Sequence, residues 1–177
     1  MIKNKLQKLI LSALFLALGL VLPTLTGQIK EIGDSLLPMH IPVMLCGLFS
    51  GAPYGFFVGL LLPFVRSLTF GMPPLYPNAV WMALELATYG LTIGFLYARF
   101  KKKTTPRVLF CLIFSMIAGR IVWGFSKAAL LGAVGKTFTV NAFIIGGFVD
   151  ALPGIILQLI LIPLIMKLFD QPKKTKE

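Results

Sequence analysis

The stretch 47-GLFSGAPYGFFVG-59 places Gly47, Gly51, Gly55 and Gly59 at four-residue spacing, with Pro53 interrupting the run. Glycine once per helical turn lets two backbones approach closely, while an interior proline removes a helical hydrogen bond and breaks the helix. Mainly apolar sequence continues on both sides. The reading is a tight helical hairpin joining two short, Pro-bounded helices, at about residues 38–52 and 54–70.

Working outward, a membrane-spanning helix needs roughly 20 predominantly apolar residues. Four further segments qualify, at about 6–23, 78–99, 107–130 and 142–168. The 177 residues are 57% hydrophobic and 13% charged, and the mean hydropathy is +0.89, a balance that excludes an ordinary soluble domain. The expected class is an all-α integral membrane protein with six transmembrane helices. The amino terminus, MIKNKLQKLILSALFLALGLVL, has the basic start and apolar run of a signal peptide. No small-residue cleavage site follows it and further apolar segments do, so it is read as the first helix. No internal repeat, low-complexity tract or appended soluble domain is visible, which makes residues 1–177 a single membrane domain.

The formal charge of +11 is distributed as topology rather than as a nucleic-acid footprint, because the cations lie between apolar runs instead of on one clustered face. Of the 17 Lys and Arg residues, 12 fall at the two termini or after the fourth helix: Lys3, Lys5, Lys8, Arg99, Lys101, Lys102, Lys103, Arg107, Lys167, Lys173, Lys174 and Lys176. The positive-inside rule makes that face cytoplasmic and puts both termini there. The outer loops, about 24–37, 71–77 and 131–141, are longer than the inner turn between the second and third helices, so the ligand side is expected outside. Cys46 and Cys111 lie in apolar stretches without metal-ligand spacing and read as packing residues.

Ionisable groups inside membrane helices are costly and mark either a site or a pair. This chain has five: Arg66, Glu85, Arg120, Lys127 and Asp150. Asn78, Trp81 and Glu85 share one face of the fourth helix, as Arg120, Trp123 and Lys127 share one face of the fifth. Counting from the outer ends at about 1.5 Å per residue, Glu85, Arg120 and Asp150 come to one level, some 10–15 Å down. The functional reading is an outward-open polar cavity between the last three helices, roofed by a loop stiffened by Pro73, Pro74 and Pro77. The structural reading is an ion pair of Arg120 with Glu85 or Asp150 that holds the bundle together. Arg66, one turn from its helix end, either snorkels or meets a ligand carboxylate. His40, the single histidine, reads as an interfacial residue rather than a ligand. Met39-His40-Ile41 resembles the amino-terminal metal motif of nickel and cobalt uptake subunits, but that motif needs a free amino terminus, so no metal is expected. Ala13 and Ala17 form a small-xxx-small face on the first helix, suited to generic packing or to docking of another membrane subunit.

Taken together, the pattern resembles the substrate-binding S subunits of energy-coupling factor (ECF) vitamin transporters over nearly the whole chain. Ala13 and Ala17 are similar to the family's AxxxA motif, which contacts the transmembrane coupling subunit. The hairpin LPMHIPVMLCGLFSGAPYGFFVGLLLPFVRSLTFGMPP and the following ELATYG look most like pantothenate-type members. The resemblance implies a multi-pass protein of a bacterial cell membrane that captures a vitamin from outside and docks on a coupling subunit with two ATPases. No GxxxxGK[ST] phosphate loop is present, so the chain is expected to need no cofactor of its own and any ATP chemistry falls to those partners. For pantothenate, Arg66, Arg120 or Lys127 would meet the carboxylate, with Asn78, Glu85 and Asp150 accepting hydroxyl or amide hydrogens and Trp81 and Trp123 lining the pocket. Other vitamins (cobalamin, a folate, a pyrimidine- or pyridoxine-type compound) remain alternatives. So does a solitary secondary carrier using Glu85, Arg120 and Asp150 as a relay, although no inverted repeat is seen. A membrane enzyme would use Glu85 and Asp150 as acid and base, but paired histidines and HExxH are absent and no catalytic residue is assigned.

Overall fold

The computed structural model describes residues 4–25, 35–100 and 104–169. Six helical segments follow in order: α1 (Lys5–Leu25), α2 (His40–Ser50), α3 (Ala52–Phe70), α4 (Val80–Arg99), α5 (Thr105–Ala133) and α6 (Val140–Phe169). The last is interrupted by a π-helical turn over Ile145–Val149 and resumes at Leu152–Phe169. Among the described residues all regular structure is helical. Residues 26–34, most of the expected loop 24–37 with its Lys30, lie outside the described residues, as do Lys3, Lys101, Lys102, Lys103, Lys173, Lys174 and Lys176.

Five of these helices are long and apolar enough to cross a membrane, as expected of an integral membrane protein. The sixth expected span folds as α2, which has only 11 residues. Its rise of about 16 Å is half of a hydrocarbon core of roughly 30 Å. All residues from His40 to Leu48 are buried, so its neighbours, rather than its own length, keep α2 inside the bundle.

The glycine-rich stretch makes the expected hairpin, but the close approach has a different partner. Gly51 ends α2 in a conformation open to glycine (φ 104°), its N–H donating to the Gly47 carbonyl at 3.1 Å, and Pro53 sits in the first turn of α3 where no donor is missed. The other glycines of the run face α4. A Cβ on Gly47 or on Gly55 would lie 2.6 Å from the Gly90 carbonyl oxygen, and one on Gly59 would strike Leu86 backbone. The small residues therefore seat α4 into the α2–α3 hairpin, backbone on backbone.

The start of α1, the α2–α3 turn and the end of α6 meet at one end of the bundle. There the Ser50 hydroxyl donates to the Lys8 carbonyl (3.4 Å), Lys8 Nζ lies 5.9 Å from the Tyr54 ring, and Phe49 packs against Phe15 and Phe169. Gly94 packs against Ala52 and brings the carboxyl end of α4, with Arg99, to the same place. The described basic residues of the predicted inner face thus share one end. A core drawn from all six helices, with Phe15, Leu48, Leu62, Leu86, Leu112 and Ile162 among its members, fills the interior. At the other end Gly71 closes α3, its N–H donating to the Ser67 carbonyl at 3.0 Å, and the proline-rich segment folds back until the Ala79 N–H reaches the Pro74 carbonyl at 3.0 Å.

Candidate functional site

Seating α4 in the hairpin fixes which of its faces turns inward, and Glu85 lies on that face at only 2% exposure. Two side chains of other helices converge on one of its oxygens. Arg120 of α5 donates from Nη1 to Glu85 Oε1 at 2.9 Å, and His40, the first residue of α2, places Nε2 3.4 Å from the same oxygen. The His40 ring stands edge-on to Tyr89, one turn along α4 from Glu85, with ring centroids 5.1 Å apart. Gly119 lets α5 close on this group, since a Cβ there would lie 2.7 Å from the Tyr89 ring. The carboxylate is therefore the hub of three helices.

The hub is not saturated. Arg120 is 4% exposed and His40 3% exposed, yet Arg120 Nε, Arg120 Nη2 and His40 Nδ1 find no hydrogen-bond partner among the described residues. A buried polar group left unpaired costs about 1–3 kcal/mol, more when charged, so a fold serving structure alone would be expected to satisfy them.

An aromatic set adjoins the hub along α5. The Arg120 guanidinium lies 5.7 Å from the Trp123 ring, and Lys127 Nζ lies 4.4 Å from Trp123, 5.4 Å from Trp81 and 5.3 Å from Phe138. Gly146 and Gly147 of α6 admit the Trp123 indole, since a Cβ on either would lie within 3.4 Å of it. Phe143 packs on its flank at 6.0 Å. Cation–π contacts of this kind contribute about 0.5–2 kcal/mol each, depending on desolvation.

The structure brings together most of the expected residues and separates two. Glu85 and Arg120 form the pair, Trp81, Trp123 and Lys127 form the adjoining set, and Asn78 is half-buried in the turn that leads into α4. Asp150 corrects the expectation that it joins Glu85 and Arg120. It is exposed, and among the described residues its side chain has no ion pair or hydrogen bond. The reason is rotational, because the buried face of α6 at this height belongs to the small residues Gly147, Ala151 and Gly154, and Asp150 is turned about 100° away from Ala151. Arg66, left open between snorkelling and a ligand carboxylate, lies apart from this group. It is buried, donates from Nη1 to the Leu20 carbonyl of α1 at 2.7 Å and lies 5.2 Å from the Phe70 ring, so it ties α3 to α1 instead of joining the Glu85 group. Ala13 and Ala17 are exposed on the outer face of α1, among Ile10, Leu14 and Leu18.

His40 is the residue that sequence reasoning undervalued. The signal was present, since it is the one basic side chain of a largely apolar helix, and the test applied to buried acids and arginines applies equally to histidine. Gln158 of α6 was also passed over. It is 1% exposed, and its Nε2 has no partner among the described residues.

Chemically, the arrangement is a neutral ion pair with leftover donors beside aromatic rings, which suits holding a ligand. The two-carboxylate apparatus of the enzymatic reading is not assembled, because Asp150 lies outside the group. Among the described residues no cluster of three or more His, Cys, Asp or Glu side chains could hold a metal ion.

Neither a curated protein nor a solved structure matches the chain. The family described as ECF transporter, substrate-specific component, matches residues 7–166, from the first turn of α1 to the last turns of α6. A match of that extent covers every helix described above, and the chain belongs to this family of membrane subunits, which bind the substrate for a transporter completed by coupling and ATPase subunits.

Proposed function

We propose that the chain is the vitamin-capturing S subunit of an ECF-type importer and that its vitamin is pantothenate. It binds from the end of the bundle opposite the basic one, the basic end with both termini being cytoplasmic in a bacterial cell membrane. The bound vitamin then passes to a coupling subunit and two ATPases, which supply all the ATP chemistry. The observation that carries this reading is the unsaturated group of Glu85, Arg120 and His40, buried where α2, α4 and α5 meet. Trp81, Trp123, Lys127 and Asn78 would line the same space. The pantothenate assignment is supported by the likeness of the hairpin and of ELATYG to pantothenate-type members. The exposed Ala13 and Ala17 suit the coupling contact, because small residues let a second helix approach closely.

Two measurements test this. Cells expressing the chain should accumulate labelled pantothenate only when the coupling and ATPase subunits are present, and uptake that persists without them would return the solitary carrier to first place. Detergent-purified protein should bind labelled pantothenate saturably, and no binding at micromolar ligand would remove pantothenate from the reading.

A further inference from the structure

From the unpaired atoms of the central arginine we infer that the ligand must carry a carboxylate, which docks side-on against the Nε–Nη2 edge of Arg120. The inference rests on the reading of this group as the substrate site, and it names the chemical class and the atoms that select it.

A guanidinium has five N–H bonds in one plane. The N–H of Nε and one N–H of Nη2 point the same way along one edge, spaced to meet the two oxygens of a carboxylate, whereas Nη1 lies on the opposite side, next to Cδ. In this chain Glu85 takes Nη1 alone, through a single oxygen at 2.9 Å. The atoms without a partner among the described residues are Nε and Nη2, both buried. The pairing with Glu85 has therefore left free the complete two-pronged edge rather than two unrelated donors. An acid placed to neutralise an arginine structurally would be expected to take such an edge itself, since parallel hydrogen bonds are the stronger arrangement. Here Glu85 holds the plane of the guanidinium and leaves its fork open.

His40 adds a second requirement. Its Nε2 faces a carboxylate oxygen, which can only accept, so in the neutral ring the proton sits on Nε2 and the unpartnered Nδ1 is an acceptor. A ligand satisfying both residues presents a carboxylate to Arg120 and a hydroxyl or amide hydrogen to His40. Trp123, whose ring lies 5.7 Å from the guanidinium, gives the ligand's carbon skeleton an apolar wall. A neutral or cationic vitamin without a carboxylate could still meet His40 but offers the fork no two-oxygen anion, and a lysine at position 120 would keep the charge while losing the fork.

The experiment uses full-length protein in detergent and reads equilibrium binding for a panel of probes: pantothenate with its alcohol panthenol, biotin with biotinol, nicotinate with nicotinamide, and thiamine and riboflavin. The expected result is that the tightest binder is a carboxylate, and that replacing the carboxylate by its neutral counterpart weakens binding about 100-fold. Arg120→Lys, which can still pair with Glu85, should lose a similar factor toward the acid and almost nothing toward the neutral counterpart. Biotin or nicotinate as the tightest binder, with the same sensitivity, would uphold this inference while refuting pantothenate. The inference is overturned if the tightest binder lacks a carboxylate, if acid and neutral partner bind alike, if Arg120→Lys binds the acid as wild type does, or if no acid binds at 1 mM.

Discussion

Two arginines of this chain are equally deep, each 4% exposed, and the regions around them differ in a way that separates scaffold from site. At the α1–α3 corner Arg66 gives a hydrogen bond to the Leu20 carbonyl and lies over Phe70. Where α4 and α5 meet, Arg120 faces a carboxylate that uses only one of its nitrogens, and two others have no partner among the described residues. Burial alone would rank the two alike, and so would the sequence rule that an intramembrane cation marks a site. What distinguishes them is the hydrogen-bond accounting. Each arginine gives one hydrogen bond through Nη1, but only Arg120 has further nitrogens that are both buried and, among the described residues, without a partner.

The sharpest way to break this contrast is to remove one member of the central pair. Arg120→Gln strands Glu85 as a buried charge and should destabilise the protein by about 3–5 kcal/mol, whereas Glu85→Gln with Arg120→Gln, which removes both charges, should recover most of that loss. Thermal unfolding in detergent measures both variants. Ligand binding should remain lost in the double variant, because the fork is gone. A double variant no more stable than the single one would show that the two residues do not act as a pair.

The corner should respond differently. Arg66→Met keeps the apolar stem and removes one charge-assisted hydrogen bond, for an expected loss of about 1.5–3 kcal/mol in stability. The dissociation constant of the ligand should stay within about twofold of wild type. A large loss of affinity with stability unchanged would place Arg66 at the ligand, and the comparison of the two arginines would fail.

Beside the central pair lies Lys127, whose ammonium sits among Trp81, Trp123 and Phe138. Lys127→Met retains the stem and loses the cation–π contacts, so a stability change of about 0.5–2 kcal/mol is expected. A change in ligand affinity larger than this would mean that the lysine, too, meets the ligand's charge.

How much of this was legible in the sequence follows from which physical signals are local. The helices were, because apolar runs and their proline and glycine boundaries are properties of short segments, and the observed ends fall within a few residues of those expected. The membership of Glu85 and Arg120 was legible for the same reason, since a charge in a membrane-grade helix is conspicuous by itself. What was not legible is which partner each group finds. The glycines of 47–59 announce a close approach, but whether it is made to the hairpin's other arm or to Gly90 depends on how three helices stack. His40 looked peripheral because it begins a helix, and only the tertiary arrangement brings that helix start down beside Glu85. Depth along a helix could be counted from its end, but rotation could not, and rotation is what misplaced the last acid.

That acid yields the smallest expected effect and the cleanest control on the whole contrast. Asp150 was expected to floor the cavity with Arg120 and Glu85, yet it is exposed, with Gly147, Ala151 and Gly154 taking the buried face of α6 in its stead. An exposed carboxylate without a partner contributes little to the fold, so Asp150→Asn should change stability by no more than about 0.5 kcal/mol. It should also leave ligand affinity unchanged, since the polar group at the centre is complete without it. The two readouts together decide the matter. A stability loss of several kcal/mol would mean that Asp150 is buried and paired in the membrane, and a loss of affinity alone would place it at the ligand. In either case Arg120 would have a second acid to satisfy, and its open edge would no longer need a substrate to close it.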